Sequence, residues 1–507
     1  MSIMSMPSSR LALPRSARAL RLEFKRNAVP YVLPLLAAVF FFNTVRTADG
    51  FPPVWTLRAS AITDHMLFEF SAFAGGLAAW AGSREGRRKT VDLMASTPQA
   101  AWARRSITLA GTLCWLLLAF LAGVAALYIQ TAVQATWGGP PLWPVFVGAA
   151  GVTVVTVIGF TCGVLFPGRF TAPLVAIGVL VLSQTGFREA LGVTASSGTY
   201  ALLSPANAPL VVDAGVYHYV APDLSIVQVM FMGGIAVALF GALGVAPELR
   251  QLASARGVAS ARAALARSGG WLPRAVAVTL VACGVAASWT AFALAGTAKP
   301  DPVGGWEIPA LHSAASDQPV PATQDCTSSS GFQVCVHPAF SLYLHDVAAA
   351  LDPVAAEIAG LPGAPAGAKE VASVSGGQDI QSGTAANPPV FEFTAEHVGA
   401  MLGQFNGIPD PAAWTQGFQQ GLLDAFLTGR PPHPGPVPIL LGPAQQAVED
   451  ALLTAVDSQP LNPAVHSAGV SAAARRFAAL PASARHAWLA THLTALRAGK
   501  ITLAQLP

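Results

Sequence analysis

The sequence predicts a mainly α-helical membrane protein: a polytopic bundle of about seven spans, followed by a mostly helical α+β extracytoplasmic domain. Three observations carry this. Only 11% of the 507 residues are charged and the mean hydropathy is +0.51, whereas an ordinary soluble domain carries about 25% charged residues. Seven apolar stretches approach the ~20 residues that cross a hydrocarbon core about 30 Å thick. Beyond residue 299 the composition becomes that of a soluble domain. A soluble enzyme with a small core, a disordered chain and a nucleic-acid binder with a basic patch are all excluded.

Residues 1–27 form a basic N-terminus. The first span, 28–45, reads AVPYVLPLLAAVFFFNTV, and no small-residue cleavage site follows it, which points to an uncleaved anchor. The second, 66–82, carries Glu69 and the pair Gly75-Gly76. An ionisable group inside a span is a functional candidate by default; the alternative is that Glu69, about a turn inside the boundary, reaches the headgroups. The third span covers 107–129 and the fourth 145–166, where Gly159 and Gly163 make a G-x-x-x-G that permits close packing but recurs by chance in glycine-rich spans. The fifth, 171–187, ends at Arg188; the sixth covers 226–246 and the seventh 275–298, completing a transmembrane region over 28–298.

Lysine and arginine set the orientation. The N-terminus and the alternate connections that share its side hold 18 basic residues, while the opposite set holds only Arg46, Arg58 and Arg188. This asymmetry predicts a cytoplasmic N-terminus and an extracytoplasmic C-terminal domain. Cysteine usage agrees. Cys114, Cys162 and Cys283 stand singly in apolar spans and read as small buried hydrophobes. Cys326 and Cys335 share CTSSSGFQVC beyond the last span, where a central Ser-Gly suits a hairpin closed by a disulfide in an oxidising compartment.

Between spans two and three lies SREGRRKTVDLMASTPQAAWARRSITLAG. Thr90 suits an N-cap and Asp92 the positive end of a helix dipole. Val91, Met94 and Ala95 share one apolar face, and Pro98 stops the helix. Physically this is a short surface helix that could equally rest on anionic membrane lipid. The pattern also resembles the ABC-2-type permeases, in which (basic)-x-G-T-L-x-L-L-x-(S/T)-(S/T)-P after the second span forms a coupling helix docked on the ATP-binding subunit. Thr90, Val91, Leu93, Met94, Ser96 and Pro98 match in type. The motif covers about fifteen residues and the topology about the first 250, and this chain departs by adding a seventh span and a large outer domain. The resemblance implies a permease subunit of an ATP-driven exporter in the bacterial plasma membrane, paired with a second permease copy or paralogue. ATP and Mg would be held by a separate ATP-binding subunit.

No Gly-x4-Gly-Lys-Ser/Thr occurs: the only Gly-Lys pair, Gly499-Lys500, is followed by isoleucine. The chain is therefore expected to be a non-enzymatic subunit without a cofactor of its own. Residues 299–325 read as a proline- and glycine-punctuated linker, and 326–507 as the outer domain. Strands are expected at 369–375 and 389–394, and helices at 395–405, 412–427, 443–456, 463–479 and 482–498, the last with Gly499 at its C′ position. Eight of the ten histidines lie in residues 299–507, but no His-Glu-x-x-His or Gly-x-Ser-x-Gly exists, so no metal ligands or catalytic residues are assigned. A membrane-anchored sensor or scaffold with a ligand-binding outer domain, and no transport, is the alternative reading.

The two halves are electrically opposite. Residues 1–298 carry a net charge of +11 and residues 299–507 a net of −8, concealed within an overall +3.

Overall fold

The apolar run after Pro98 meets no proline until Pro140, and it forms the longest helix among the described residues. A computed structural model describes residues 15–26, 29–32, 34–36, 38, 42, 53–63, 67–88, 101–191, 199–203, 214–219, 221–254, 271–301, 306–329, 331–371, 383–385, 389–394, 411–429, 441–458 and 467–507. The first part is helical: α1 (Arg15–Arg26), α2 (Trp55–Ala61), α3 (Leu67–Gly82), α4 (Arg84–Arg87), α5 (Ala101–Gln134), α6 (Trp143–Leu165), α7 (Thr171–Leu191), α8 (Thr199–Leu203), α9 (Ala214–Tyr217), α10 (Asp223–Ser254) and α11 (Trp271–Ala295).

Among the described residues four stretches are long and apolar enough to cross a membrane: Ala101–Gln134, Trp143–Leu165, Asp223–Gly244 and Arg274–Ala295. They correspond to the third, fourth, sixth and seventh predicted spans. The second is helix α3, only 16 residues long. The fifth is α7, whose described apolar stretch is Thr171–Ser183. Half of the first lies outside the described residues.

Small residues bring these helices together. A Cβ on Gly159 would stand 2.2 Å from the Gly75 carbonyl oxygen, one on Gly163 2.2 Å from that of Ala79, and one on Gly82 2.3 Å from that of Phe160. Helices α3 and α6 thus touch backbone to backbone, and the G-x-x-x-G is in use. The α10–α11 pair is built alike, with a Gly284 Cβ 2.4 Å from the Ala238 nitrogen. The Thr112, Thr131 and Thr156 hydroxyls donate to the carbonyls of Thr108, Leu127 and Val152 at 2.9, 2.8 and 2.6 Å, which hides their polarity in an apolar layer. The expectation of buried cysteines is corrected for two: Cys114 and Cys283 are exposed on helix surfaces. A thiol is apolar enough to face hydrocarbon as readily as protein.

The described residues of the predicted linker, 299–301 and 306–325, have contacts of their own. They include a small ribbon, β1 (Lys299–Pro300) with β2 (Trp306–Glu307), and dock on the bundle. The Ile308 N–H donates to Asp223 Oδ2 at 2.8 Å, the Tyr219 N–H to the Gln318 carbonyl at 3.3 Å and the Val320 N–H to that of Tyr217 at 2.7 Å.

The outer domain begins with the predicted hairpin, β3 (Asp325–Ser329) and β4 (Phe332–Val336). Cys326 lies opposite Cys335, with Cα atoms 4.1 Å apart, and the two form the disulfide. Helix α12 (Leu344–Ile358) then carries the chain to β5 (Gly367–Val371), parallel to β4. With β6 (Gly383–Ala385) and β7 (Val390–Thr394) the sheet order is β3-β4-β5-β7-β6. Helices α13 (Pro411–Thr428), α14 (Pro443–Ala455), α15 (Ala468–Ala478) and α16 (Ala482–Arg497) follow. The predicted helix 395–405 lies outside the described residues. Helix α16 ends as its sequence requires: Gly499 has φ +66°, Lys500 N–H donates to the Ala495 carbonyl at 2.9 Å and Gly499 N–H to that of Leu496 at 3.0 Å. Phe340, Phe391, Phe393, Phe418, Phe426 and Phe477 are fully buried, each contributing about 1.5–3 kcal/mol.

This core also encloses acids. Burial pushes Asp424 up to about 7 and Glu449 up to about 9, the latter further raised by Asp424 and Asp450. Both therefore bind protons more readily folded than unfolded. Their contribution is complete below the ordinary values of 3.8 and 4.5 and is lost as pH rises through about 7 and 9. Glu449→Gln removes the penalty, and should raise the melting temperature of the domain by roughly 5 °C at pH 8 but little at pH 4. Near-ultraviolet circular dichroism melts at the two pH values read this; an equal shift at both would exclude ionisation as the cause.

Candidate functional site

Two ends of the bundle carry chemistry, distinguished by the outer domain, which covers one of them. At the far end, helix α1 lies against α5: Phe24 stacks on Trp115 at 4.1 Å, and the Trp115 indole donates to the Phe24 carbonyl at 2.9 Å. Arg84 of α4 donates to both Glu23 oxygens, at 2.9 and 3.3 Å. Glu85 pairs with Arg104 at 3.7 Å, and the Arg87 guanidinium lies 3.3 Å above the Trp80 ring. Trp102 packs on Phe240, with ring centres 5.5 Å apart. These contacts hold both borders of the segment between α4 and α5. Thr90, Val91, Leu93, Met94, Ser96 and Pro98 lie on that segment, outside the described residues. Glu69 belongs to α3; its side chain is outside the described residues.

At the domain-facing end a cavity of about 430 Å³ opens between α2, the α5–α6 connection, the start of α10 and residue 320. Its walls are mostly apolar and aromatic: Trp55, Trp137, Trp143, Val147, Val216 and Tyr219. Trp55 meets Tyr128 edge to face at 5.5 Å, and the Tyr128 hydroxyl donates to the Pro141 carbonyl at 2.5 Å, so this wall is fixed. Polar groups are few: Thr56, Ser60, His218 and Ser225. The Thr56 hydroxyl is buried and has no hydrogen-bond partner among the described residues. Such a lining suits an apolar or amphiphilic molecule held by shape and one or two hydrogen bonds.

His337 joins the outer domain to this end. Its ring lies 4.6 Å from Trp137 and 5.0 Å from Tyr217, both at steep angles, and the Thr136 hydroxyl donates to the Pro338 carbonyl at 2.6 Å. His337 Nδ1 accepts the Ala339 N–H at 3.1 Å, which leaves the proton of the neutral ring on Nε2. Burial lowers its pKa to about 4, so the ring is neutral at physiological pH. The His337 backbone N–H donates to Oε2 of buried Glu370 at 2.7 Å.

Beside the cavity stands a second polar group that sequence reasoning missed. His312 Nδ1 lies 2.7 Å from Asp223 Oδ2, and Nε2 lies 3.3 Å from Asp317 Oδ1. Asp301 completes the group, with ligand-type atoms of Asp301, His312 and Asp317 all within 4.8 Å of one another. The Asp223 hydrogen bond, together with the charges of Asp223 and Asp317 and a contact with Asp317, raises the His312 pKa against the opposing effect of burial. No spacing rule could find these residues, because Asp223 begins a helix nearly ninety positions before its partner. The one available signal was an aspartate at the boundary of an apolar span.

No protein-family model matches the chain, and neither a curated protein nor a solved structure resembling it is found.

Proposed function

We propose that the chain is the membrane-spanning permease subunit of an ATP-driven ABC exporter, with about seven spans and a separate ATP-binding subunit docked on residues 90–98. The observation that carries this reading is the basic end of the bundle. Arg84, Arg87, Arg88, Arg104 and Arg105 flank the 90–98 segment, on helices tied to α1 by Glu23–Arg84 and to each other by Glu85–Arg104. The positive-inside rule assigns that end to the cytoplasm. The outer domain then lies outside, in agreement with its disulfide. In this reading the motor pushes on a segment whose two borders are fixed, and the helices on either side transmit the displacement. A bacterial plasma membrane and a second permease copy complete it.

Charging two apolar residues of the segment tests the docking. The double variant Leu93→Glu, Met94→Glu should lower recovery of a P-loop ATPase co-purified in detergent at least tenfold, with yield and the Cys326–Cys335 bond unchanged. Equal recovery would remove the coupling role from this segment. The aromatic cavity favours the second reading, a membrane-anchored ligand sensor or scaffold, for which vesicles would show no ATP-dependent transport.

A further inference from the structure

We propose that Asp301, His312 and Asp317 form a binding site for a Zn²⁺-class divalent cation, with Asp223 as the positioning residue that orients the histidine.

The argument begins with the proton on His312. Asp223 is 2% exposed, and its Oδ2 accepts both the Ile308 N–H at 2.8 Å and His312 Nδ1 at 2.7 Å. A carboxylate oxygen has no proton to give, so Nδ1 carries the hydrogen and the lone pair of the neutral ring falls on Nε2. Nε2 is buried and has no hydrogen-bond partner among the described residues. It faces Asp317 Oδ1 at 3.3 Å, and the Asp317 side chain is 8% exposed. In the neutral ring the Nε2 lone pair and the carboxylates of Asp317 and Asp301 lie within 4.8 Å of one another, a three-donor cluster whose negative charge a cation, or a proton on Nε2, would offset.

The spacing suits an ion. Ligand atoms bound tetrahedrally at about 2.0–2.1 Å lie roughly 3.3 Å apart. One imidazole nitrogen with two carboxylates, and room for water as the fourth ligand, matches the donor preference of Zn²⁺. Calcium takes about 6–8 oxygens, and magnesium seldom takes nitrogen. A carboxylate behind the far nitrogen of a liganding histidine is the usual means of fixing its tautomer and orientation. Each ligand comes from the stretch after α11, and the orienting aspartate begins α10. The ion would clamp residues 301–317 onto the bundle beside Pro222, Ser225 and Val320, which line the aromatic cavity. None of this depends on transport.

The experiment uses the full chain in detergent, stripped with chelator, then loaded with Zn²⁺, desalted and assayed for metal per chain. One equivalent is expected. His312→Gln and Asp317→Asn should each weaken binding at least tenfold, and Asp223→Asn by about 10–100-fold. Amide exchange in residues 306–320 should slow on loading. If a variant fails to fold, Cu²⁺ bound to the unaltered chain should show the spin-echo modulation of one imidazole nitrogen. No bound metal, an unaltered affinity in both His312→Gln and Asp317→Asn, or no imidazole signal would each overturn the site. A protonated His312 bridging the aspartates would give the first of these results.

Discussion

Gly163→Leu is expected to separate α3 from α6 and destabilise the bundle by about 3 kcal/mol or more, beyond the usual range for overpacking. The obstacle is backbone rather than side chain. The new Cβ would meet the Ala79 carbonyl oxygen at 2.2 Å, and a carbonyl inside a helix cannot rotate away. Relief requires the helices to move apart along their length. That motion would also undo the seat of Gly159 on Gly75 and of Gly82 on Phe160. Gly159→Leu should therefore behave alike, and the double variant should cost less than the two together, because the first separation makes space for the second. Gly178→Leu is the control, since among the described residues nothing lies within 4 Å of its added carbon. Thermal aggregation of the detergent-solubilised chain reads the difference, with a midpoint about 10 °C lower for Gly163→Leu and little change for Gly178→Leu. Equal midpoints would show that α3 and α6 do not touch.

A second large effect is expected in the outer domain at Arg485, a charged residue buried to 7% exposure. Its Nε and Nη2 donate to Glu357 Oε1 at 3.0 and 2.5 Å, and Nη1 donates to the carbonyls of Ala478 and Leu480 at 3.2 and 2.7 Å. One guanidinium thus ties the end of α12 to the carbonyls that close α15. Arg485→Met keeps much of the volume but leaves a carboxylate and two carbonyls without their donor. Removing one member of such a buried pair costs about 3–5 kcal/mol. The domain should melt roughly 10 °C lower by near-ultraviolet circular dichroism. Glu357→Leu combined with Arg485→Met should recover part of the loss, since the stranded charge is then gone. A double variant no better than the single would assign the role to the carbonyl contacts alone.

What the sequence made legible follows from the range of the forces involved. Helices α13, α14 and α16 begin and end within two residues of expectation, because apolar periodicity, Pro411, Pro443 and Gly499 are local signals. The Cys326–Cys335 hairpin is local for the same reason. Gly159 and Gly163 were visible as a pattern, but only their partner helix distinguishes use from coincidence. The docking of 299–325 was not visible. Proline and glycine there describe a chain without regular structure, and such a chain can still be pinned by Asp223 through Ile308 and His312. The Asp301–His312–Asp317 group failed for the same reason, since its geometry exists only once distant segments meet. The cavity is likewise a property of ends: Trp55 begins α2, Trp137 lies in the α5–α6 connection and Trp143 begins α6, and only the fold brings them round one space.

Helix α5 has a mechanical consequence. Its 34 residues contain no proline and extend about 50 Å, further than the apolar layer is thick. One tip carries Trp102 against Phe240 and Arg104 against Glu85. Just past the other, Thr136 and Trp137 grip Pro338 and His337 of the outer domain. A rod clasped at both extremities transmits a tilt as a lever does. A few degrees at the basic tip become several ångströms at the other, without any rearrangement in between. A tilt of α5 at the basic end would thus reach the outer domain through Trp137 and Thr136.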